Sequence, residues 1–300
     1  MNFQNIANKP REFLAMTGFN MDEFCALLPW FEKELSESKY TLEGAMRKNK
    51  HAGYKNSIFQ TIEEKLFFIL VYFKQYTTQS MLAMSFKISQ PKANKWIHFL
   101  APILQSALSE MKVAPCRDME ELSLQEASVF AHDGTERPIQ RPKDKKEQKK
   151  FYSGKQKSHT VKNNILADIN CKVIFITPTV EGKKHDKKLA DESKYKLPKG
   201  SMLLQDTGYQ GFTLEGVCVL QPKKKPRGKE LSQEDKDYNR EISQVRVRIE
   251  HVISGIKRYR IVKDKCRNWL KGFKDVVIEI ACGLHNLRLE FRPWEKIELR

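Results

Sequence analysis

No apolar run in this 300-residue chain approaches the ~20 residues needed to cross a bilayer, and its first thirteen residues lack the apolar core of a signal peptide. Cysteine is scarce and scattered. Cys25, Cys116, Cys171, Cys218, Cys266 and Cys282 form no CxxC pair. That spacing argues against a zinc ribbon and a disulfide framework, and fits free thiols in a reducing compartment. Internal repeats and long low-complexity tracts are missing, which argues against a repeat architecture. Acidic side chains are in deficit, 37 against 54 Lys and Arg, for a net charge of +17. Such an excess concentrates polyanions and favours a nucleic-acid partner, although ribosomal, heparin-binding and membrane-surface proteins share it. The expectation is a soluble cytoplasmic protein with no membrane partner.

What is present is enough for a large core: 40% of residues are hydrophobic and 10% aromatic. The charge is unevenly spread. Residues 1–125 carry 15 basic and 13 acidic side chains, whereas residues 126–300 carry 39 and 24. This shift places a domain boundary near residue 125, between a nearly neutral helical domain (1–125) and a strongly basic domain (126–300).

In the first part, Asn20 with Glu23 makes a capping box before Phe24, Leu27, Leu28 and Phe31, which recur at helical spacing. Residues 61–76 predict a second, mostly buried helix. Two more follow, over 78–86 and 90–104, separated by Phe86-Lys87-Ile88-Ser89. Ser89 suits an N-cap and Pro91 the first helical turn, so residues 77–104 have the helix-turn-helix pattern. In that arrangement Ala93, Trp96 and Ile97 face the core, and Gln90, Lys92, Asn94 and Lys95 face DNA. An ordinary αα-hairpin with a polar outer face has the same signature.

After residue 125 the pattern becomes mixed. A strand over 127–132 ends at Asp133-Gly134-Thr135, and the basic segment 137–150 reads as a solvated loop able to touch phosphates. Segments 159–168 and 172–179 read as a hairpin, and 186–196 as a helix with Asp186 as an ordinary N-cap. Segment 201–205 reads as a strand ending in Asp206-Thr207-Gly208-Tyr209-Gln210-Gly211, and 217–221 as another strand. A long charged helix spans 233 to about 259, and an apolar helix spans 272–289. Asp133 and Asp206 thus follow strands, and Glu250 lies on the long helix. Three carboxylates suit a hard, oxygen-seeking cation. Asp-Gly-Thr and Asp-Thr-Gly are also common turn sequences, in which the Asp serves the backbone.

The order β-β-β-α-β-α, with these acids in these places, resembles the ribonuclease-H-like fold. The matching pieces are Asp133-Gly134-Thr135-Glu136, Gly182-Lys183-Lys184-His185-Asp186, the Asp206–Gly211 run, and 239–257 with Arg246, Glu250 and Lys257 in the spacing Arg-x3-Glu-x6-Lys. On these, residues 131–289 resemble the catalytic domain of DDE transposases of bacterial insertion sequences, family five, the group similar to Harbinger transposases. Ser243 stands where that family often has Tyr.

The resemblance implies an α+β protein. A helical helix-turn-helix domain would precede a ribonuclease-H-like catalytic domain built on a mixed five-stranded sheet. It implies Asp133, Asp206 and Glu250 as catalytic metal ligands for two Mg²⁺ ions, with Mn²⁺ able to substitute, and Arg246 and Lys257 near DNA phosphates. The implied activity is hydrolysis that frees a 3′-OH, followed by strand transfer. The implied partners are double-stranded DNA, as terminal inverted repeats and as target, and a second copy of the chain in a synaptic dimer. Nucleoid association would follow. Two other readings are a non-catalytic DNA-binding regulator derived from a transposase, and a nuclease without strand transfer.

Overall fold

The computed structural model describes residues 1–48, 57–123, 128–225, 228 and 230–294. The expected boundary near residue 125 falls in 124–127, outside the described residues, as does Ala127 at the expected start of the first strand. The described chain sorts into two compact units. One holds Met1–Ala114, Ile256–Asp264 and Asn268–Phe291; the other holds Pro115–Gly255, Lys265–Arg267 and the described residues after Phe291.

The first unit is helical: α1 (Phe3–Ala7), α2 (Pro10–Thr17), α3 (Met21–Glu37), α4 (Ile62–Gln75), α5 (Gln79–Phe86) and α6 (Gln90–Glu110). Two capping boxes start its main helices. Asn20 with Glu23 opens α3, and Thr61 with Glu64 opens α4, each satisfying two backbone amides reciprocally. Leu66 through Phe73 are all buried, so α4 is enclosed on every side, as a helix without a polar face must be. Phe67 meets Phe13 and Phe3 ring to ring at 5.9 and 5.7 Å.

The helix-turn-helix is α5, the turn at 87–89, and α6. The Thr78 hydroxyl accepts from the Met81 amide at 3.3 Å, and Lys87 takes the left-handed φ of 54° that lets the chain reverse. Ser89 is the N-cap residue of α6, but its side chain makes no capping bond. Ala93, Trp96 and Ile97 are buried and Gln90, Lys92 and Lys95 are exposed, as the spacing predicted, whereas Asn94 is half-buried. Gln79 Oε1 accepts from Gln90 and Asn94, tying the two helices across the turn.

The second unit is built on a mixed sheet. Its elements are α7 (Met119–Ser123), β1 (Val129–Pro138), α8 (Lys145–Phe151), β2 (Tyr152–Ser153), β3 (Ser158–Asp168), β4 (Val173–Ile176), β5 (Val180–Glu181), α9 (Asp186–Ser193), β6 (Met202–Leu204), β7 (Cys218–Leu220) and α10 (Gln233–Lys257). Among the described residues five strands have three or more residues; the two-residue β2 and β5 add to β3. β1 pairs antiparallel with β3 and parallel with β6, which pairs parallel with β7. The architecture is α+β, with the expected strand–helix order. The Cys171 turn of the β3–β4 hairpin has a φ of 66°.

Several boundaries differ from the sequence expectation. β1 does not end at Asp133. It continues to Pro138 because Asp133, Gly134, Thr135 and Glu136 keep their ladder partners in β3. The basic segment 137–150 is not a simple loop, since Asp144 caps α8 through the amides of Lys146 and Glu147. The chain closes with α11 (Arg260–Lys263) and α12 (Phe273–Phe291). The apolar α12 groups with the N-terminal helices, not with the sheet. Gly283 lies against Leu108, and Asn286 Nδ2 donates to the Val113 carbonyl at 2.8 Å.

Gly182, first of the Gly-Lys-Lys-His-Asp run, donates its amide to the Thr160 carbonyl at 2.9 Å. A Cβ there would strike the Thr160 hydroxyl and stand 2.7 Å from its backbone oxygen. Backbone cannot swing aside as a side chain can. Gly182→Ala is therefore expected to destabilise the second unit by about 1–3 kcal/mol, read as a lower urea midpoint at unchanged slope.

Candidate active site

The pleat of β1 sends alternate side chains to opposite faces of the sheet. Asp133, Thr135 and Arg137 share one face; His132, Gly134 and Glu136 share the other. Thr135 and Arg137 are buried, and Arg137 donates to Asn163 Oδ1 at 2.7 Å and Thr179 Oγ1 at 2.9 Å, anchoring the strand beyond the acid. Asp133 Oδ1 accepts the Gly134 amide at 2.7 Å. Burial pushes its carboxyl up to about 6; the Asp186 and Asp206 carboxylates add to the rise, against the Gly134 amide and Arg246.

Asp206 follows β6, whose pairing with β1 sets Leu204 beside Ala131. It caps a single 3₁₀ turn, Thr207–Tyr209, accepting the Thr207 amide at 2.7 Å, while its own carbonyl accepts from Gln221 Nε2 at 2.6 Å. The turn is pinned from below. The Tyr209 ring lies 4.0 Å from the His132 ring, and its hydroxyl donates to Asn164 Oδ1 at 3.1 Å. Gly211, with φ of 80°, ends the motif where an L side chain would be strained. His132 is fully buried beside Gln205, and burial lowers its pKa to about 3, so the ring under the site stays neutral.

Arg246 joins the acids. Its guanidinium stands 3.7 Å from Asp206 Oδ1 and 3.5 Å from Glu250 Oε1, the latter an i,i+4 pair on α10. Arg246 is largely covered, whereas Glu250 is 58% exposed and Asp206 41%. Asp133, Asp206, Arg246 and Glu250 thus form one electrostatic group, with Glu250 attached through Arg246. Among the described residues no three His, Cys, Asp or Glu side chains are arranged as a ready metal cage. Lys257 lies two turns beyond Glu250 on α10, half-buried. Gln90, Lys92, Asn94 and Lys95 belong to the helix-turn-helix in the other unit.

Asp186 was expected to cap its helix. The N-cap is His185, and Asp186 is the first helical residue. Its carboxylate turns toward the sheet, where Oδ1 lies 2.9 Å from Lys162 Nζ. The signal available in the sequence was an acid directly after a His at a helix start, which reads equally well as a cap.

Comparison with known proteins gives four findings. Residues 132–286 match the DDE superfamily endonuclease family. Residues 61–110 match the helix-turn-helix of DDE superfamily endonuclease. The chain is 29% identical, over 82% of its length and 87% of the relative's, to a probable transposase for insertion sequence element IS702 of Microchaete diplosiphon. It is 27% identical, over 76% of its length and 80% of the relative's, to a transposase assigned to insertion sequence element IS112 of Streptomyces albus G. No solved structure matches the chain.

The matched family implies dependence on a divalent metal. The residues expected to hold it, Asp133, Asp206 and Glu250, have the chemistry such an ion takes: carboxylate oxygens only, with Asp133 an acid whose ionised form burial disfavours.

The Asp133 shift carries a stability consequence with a definite sign. Its folded pKa of about 6 exceeds the ordinary 3.8, so metal-free protein loses stability as pH rises from about 4 through 6. Asp133→Asn is expected to stabilise the protein in EDTA at pH 7.5 by at most about 2–3 kcal/mol, with the gain vanishing near pH 4. Thermal melts of both proteins across that range check it.

Proposed function

The chain belongs to the DDE superfamily endonucleases, and from that premise we propose that it is an insertion-sequence transposase of the family-five, Harbinger-like group. The carrying observation is that Arg246 pairs with both Asp206 and Glu250 and acts electrostatically on Asp133, in the part of the chain that matches the family. Both relatives carry names that assign them as transposases for insertion sequences, which supports the same reading.

In this reading Asp133, Asp206 and Glu250 hold the metal, Mg²⁺ in the first instance, with Mn²⁺ able to replace it. Two such ions supply activation of the attacking oxygen and stabilisation of the leaving oxygen of a phosphodiester. The chain's residues do the rest. Gly134 and Thr207 donate backbone amides that orient the two Asp carboxylates. Arg246 compensates the clustered negative charge until a cation takes that role, and is then available to a DNA phosphate. Hydrolysis and strand transfer differ only in the nucleophile, water or a 3′-OH, so one site serves both.

Double-stranded DNA is the partner. Gln90, Lys92, Asn94 and Lys95 present the exposed start of α6 to the major groove of the terminal repeats. Arg246 and Lys257 lie near phosphates of the cleaved strand. Arg141, Lys149, Lys183, Lys184 and Lys188 line two adjoining grooves in the second unit, with Glu181 as the acid among them, and supply further phosphate contacts. Synapsis of two ends requires at least a dimer. Among the described residues no helix is long and apolar enough to cross a membrane. Action on the nucleoid in the cytoplasm fits this activity.

Asp206→Asn and Glu250→Gln are each expected to reduce nicking and joining of element-end DNA in Mg²⁺ by at least 1000-fold. End affinity should stay within about threefold of the unaltered protein. Normal release of 3′-OH ends by either variant would sink the assignment, and end binding with no cleavage by the unaltered protein would favour a regulator. Lys92→Ala with Lys95→Ala is expected to weaken end binding and lower the log–log salt slope by about 2, read by fluorescence anisotropy.

A further inference from the structure

The mechanism above makes no use of Asp186, yet its carboxylate occupies a particular place. A Cβ added to Gly134 would stand 2.5 Å from Asp186 Oδ1 and 3.0 Å from its Cγ, and one added to Gly208 would stand 4.0 Å from Oδ2. One side chain therefore packs closely on Gly134, directly after Asp133, and has its other carboxylate oxygen in the neighbourhood of Gly208, two residues after Asp206. It meets Gly134 on the sheet face opposite the one that Asp133 uses, as the β1 pleat dictates.

The carboxylate is held there. Lys162 Nζ is 2.9 Å from Asp186 Oδ1 and 3.5 Å from Glu136 Oε1, and donates to the Lys184 carbonyl at 2.9 Å. Lys162 and Glu136 have side chains less than a tenth exposed and sit directly opposite each other in the β1–β3 ladder. Glu136 Oε2 accepts from the Thr160 hydroxyl at 2.7 Å. Asn164 completes the brace: its Nδ2 donates to the Asp186 carbonyl at 3.2 Å, and its Oδ1 accepts from Tyr209 in the Asp206 turn. Isolated buried ion pairs contribute little net stability, because desolvation offsets attraction. A network of this kind is better suited to setting geometry.

We infer that Asp186 is a positioning residue: ion-paired with Lys162, its carboxylate packs on the Asp133–Gly134 segment while Asn164 ties its backbone to Tyr209 of the Asp206 turn, fixing the two segments relative to each other. It thereby sets the spacing of the two acids. This rests on the active-site reading above. Outer residues that orient ligands typically change metal affinity or rate by about 10–100-fold when removed.

The test uses the full chain and three substitutions, Asp186→Asn, Asp186→Ala and Gly134→Ala. Asp186→Asn keeps the shape of the side chain and removes its charge. Gly134→Ala attacks the same contact from the opposite side and keeps Asp186 intact. For each, Mn²⁺ binding is measured by calorimetry without DNA, alongside nicking rate at saturating Mg²⁺, end affinity and melting temperature.

Asp186→Asn and Gly134→Ala should each weaken Mn²⁺ binding about tenfold and slow nicking by about 10–100-fold, with end affinity within about twofold. Combining Gly134→Ala with Asp186→Ala should cost less than the product of the two single effects, because the methyl then has room. Two results would overturn the inference: full Mn²⁺ affinity and rate in Asp186→Asn, or losses that only track the unfolded fraction. Should Asp186→Asn fail to fold, unchanged Mn²⁺ binding and rate in Gly134→Ala would overturn it equally. If the unaltered protein neither nicks DNA nor binds Mn²⁺, the active-site reading itself falls and takes this inference with it.

Discussion

The antiparallel ladder between β1 and β3, from Phe130 opposite Asp168 to Pro138 opposite Thr160, is the constraint on which the second unit depends. Side chains on a strand alternate with a period of two, so a one-residue slip would exchange the two faces. Asp133 would then point into the layer that holds His132 and Tyr209, and Glu136 would lose Lys162. The ladder resists such a slip from both faces. Phe130 and Leu166 pack in the apolar cluster with Tyr209 and Phe212, while Arg137 and Asn163 bond each other on the opposite side. Register and chemistry are therefore one property here.

Electrostatics then shape what the ladder holds. Like charges brought near one another out of water must be compensated, shifted in pKa, or both. Both occur. Arg246 places its guanidinium between Asp206 and Glu250, and Asp133, whose direct partner among the described residues is a backbone amide, holds its proton to higher pH. The neutral His132 beneath adds no cation to the balance. The group as a whole is short of positive charge, which is the condition under which a carboxylate cluster favours a divalent ion.

The local rules that announce themselves in sequence were met closely. Asn20 with Glu23 formed its capping box, the α5–turn–α6 pattern placed Ala93, Trp96 and Ile97 inside, Asp206 followed its strand and Glu250 lay on the long helix. What escaped depends on pairings between distant segments. β1 runs past Asp133 because β3 supplies partners, and no local pattern in Asp-Gly-Thr-Glu reveals them. α12 groups with helices far from it in sequence, Gly283 lying against Leu108 and Asn286 donating to the Val113 carbonyl, contacts that no local pattern announces. Asp186 looked like a cap because an acid at a helix start usually is one. Only the closeness of Gly134, 52 positions earlier, reveals its other contacts.

The short strand β6, which delivers Asp206, also has a bearing on how the molecule comes into being. It joins β1 across a long stretch of chain: His132 and Gln205, which meet beside it, are 73 residues apart. Pairings that close such long loops carry a larger entropic cost before any contact rewards them, and tend to form late. β1 and β3 can zip together earlier, being nearer in sequence. During synthesis Asp133 thus stands alone until the chain beyond Asp206 has emerged, and Glu250 arrives later still. A half-made chain holds one of the three acids proposed for the site, so in that reading the capacity to cut DNA is acquired only with the finished fold.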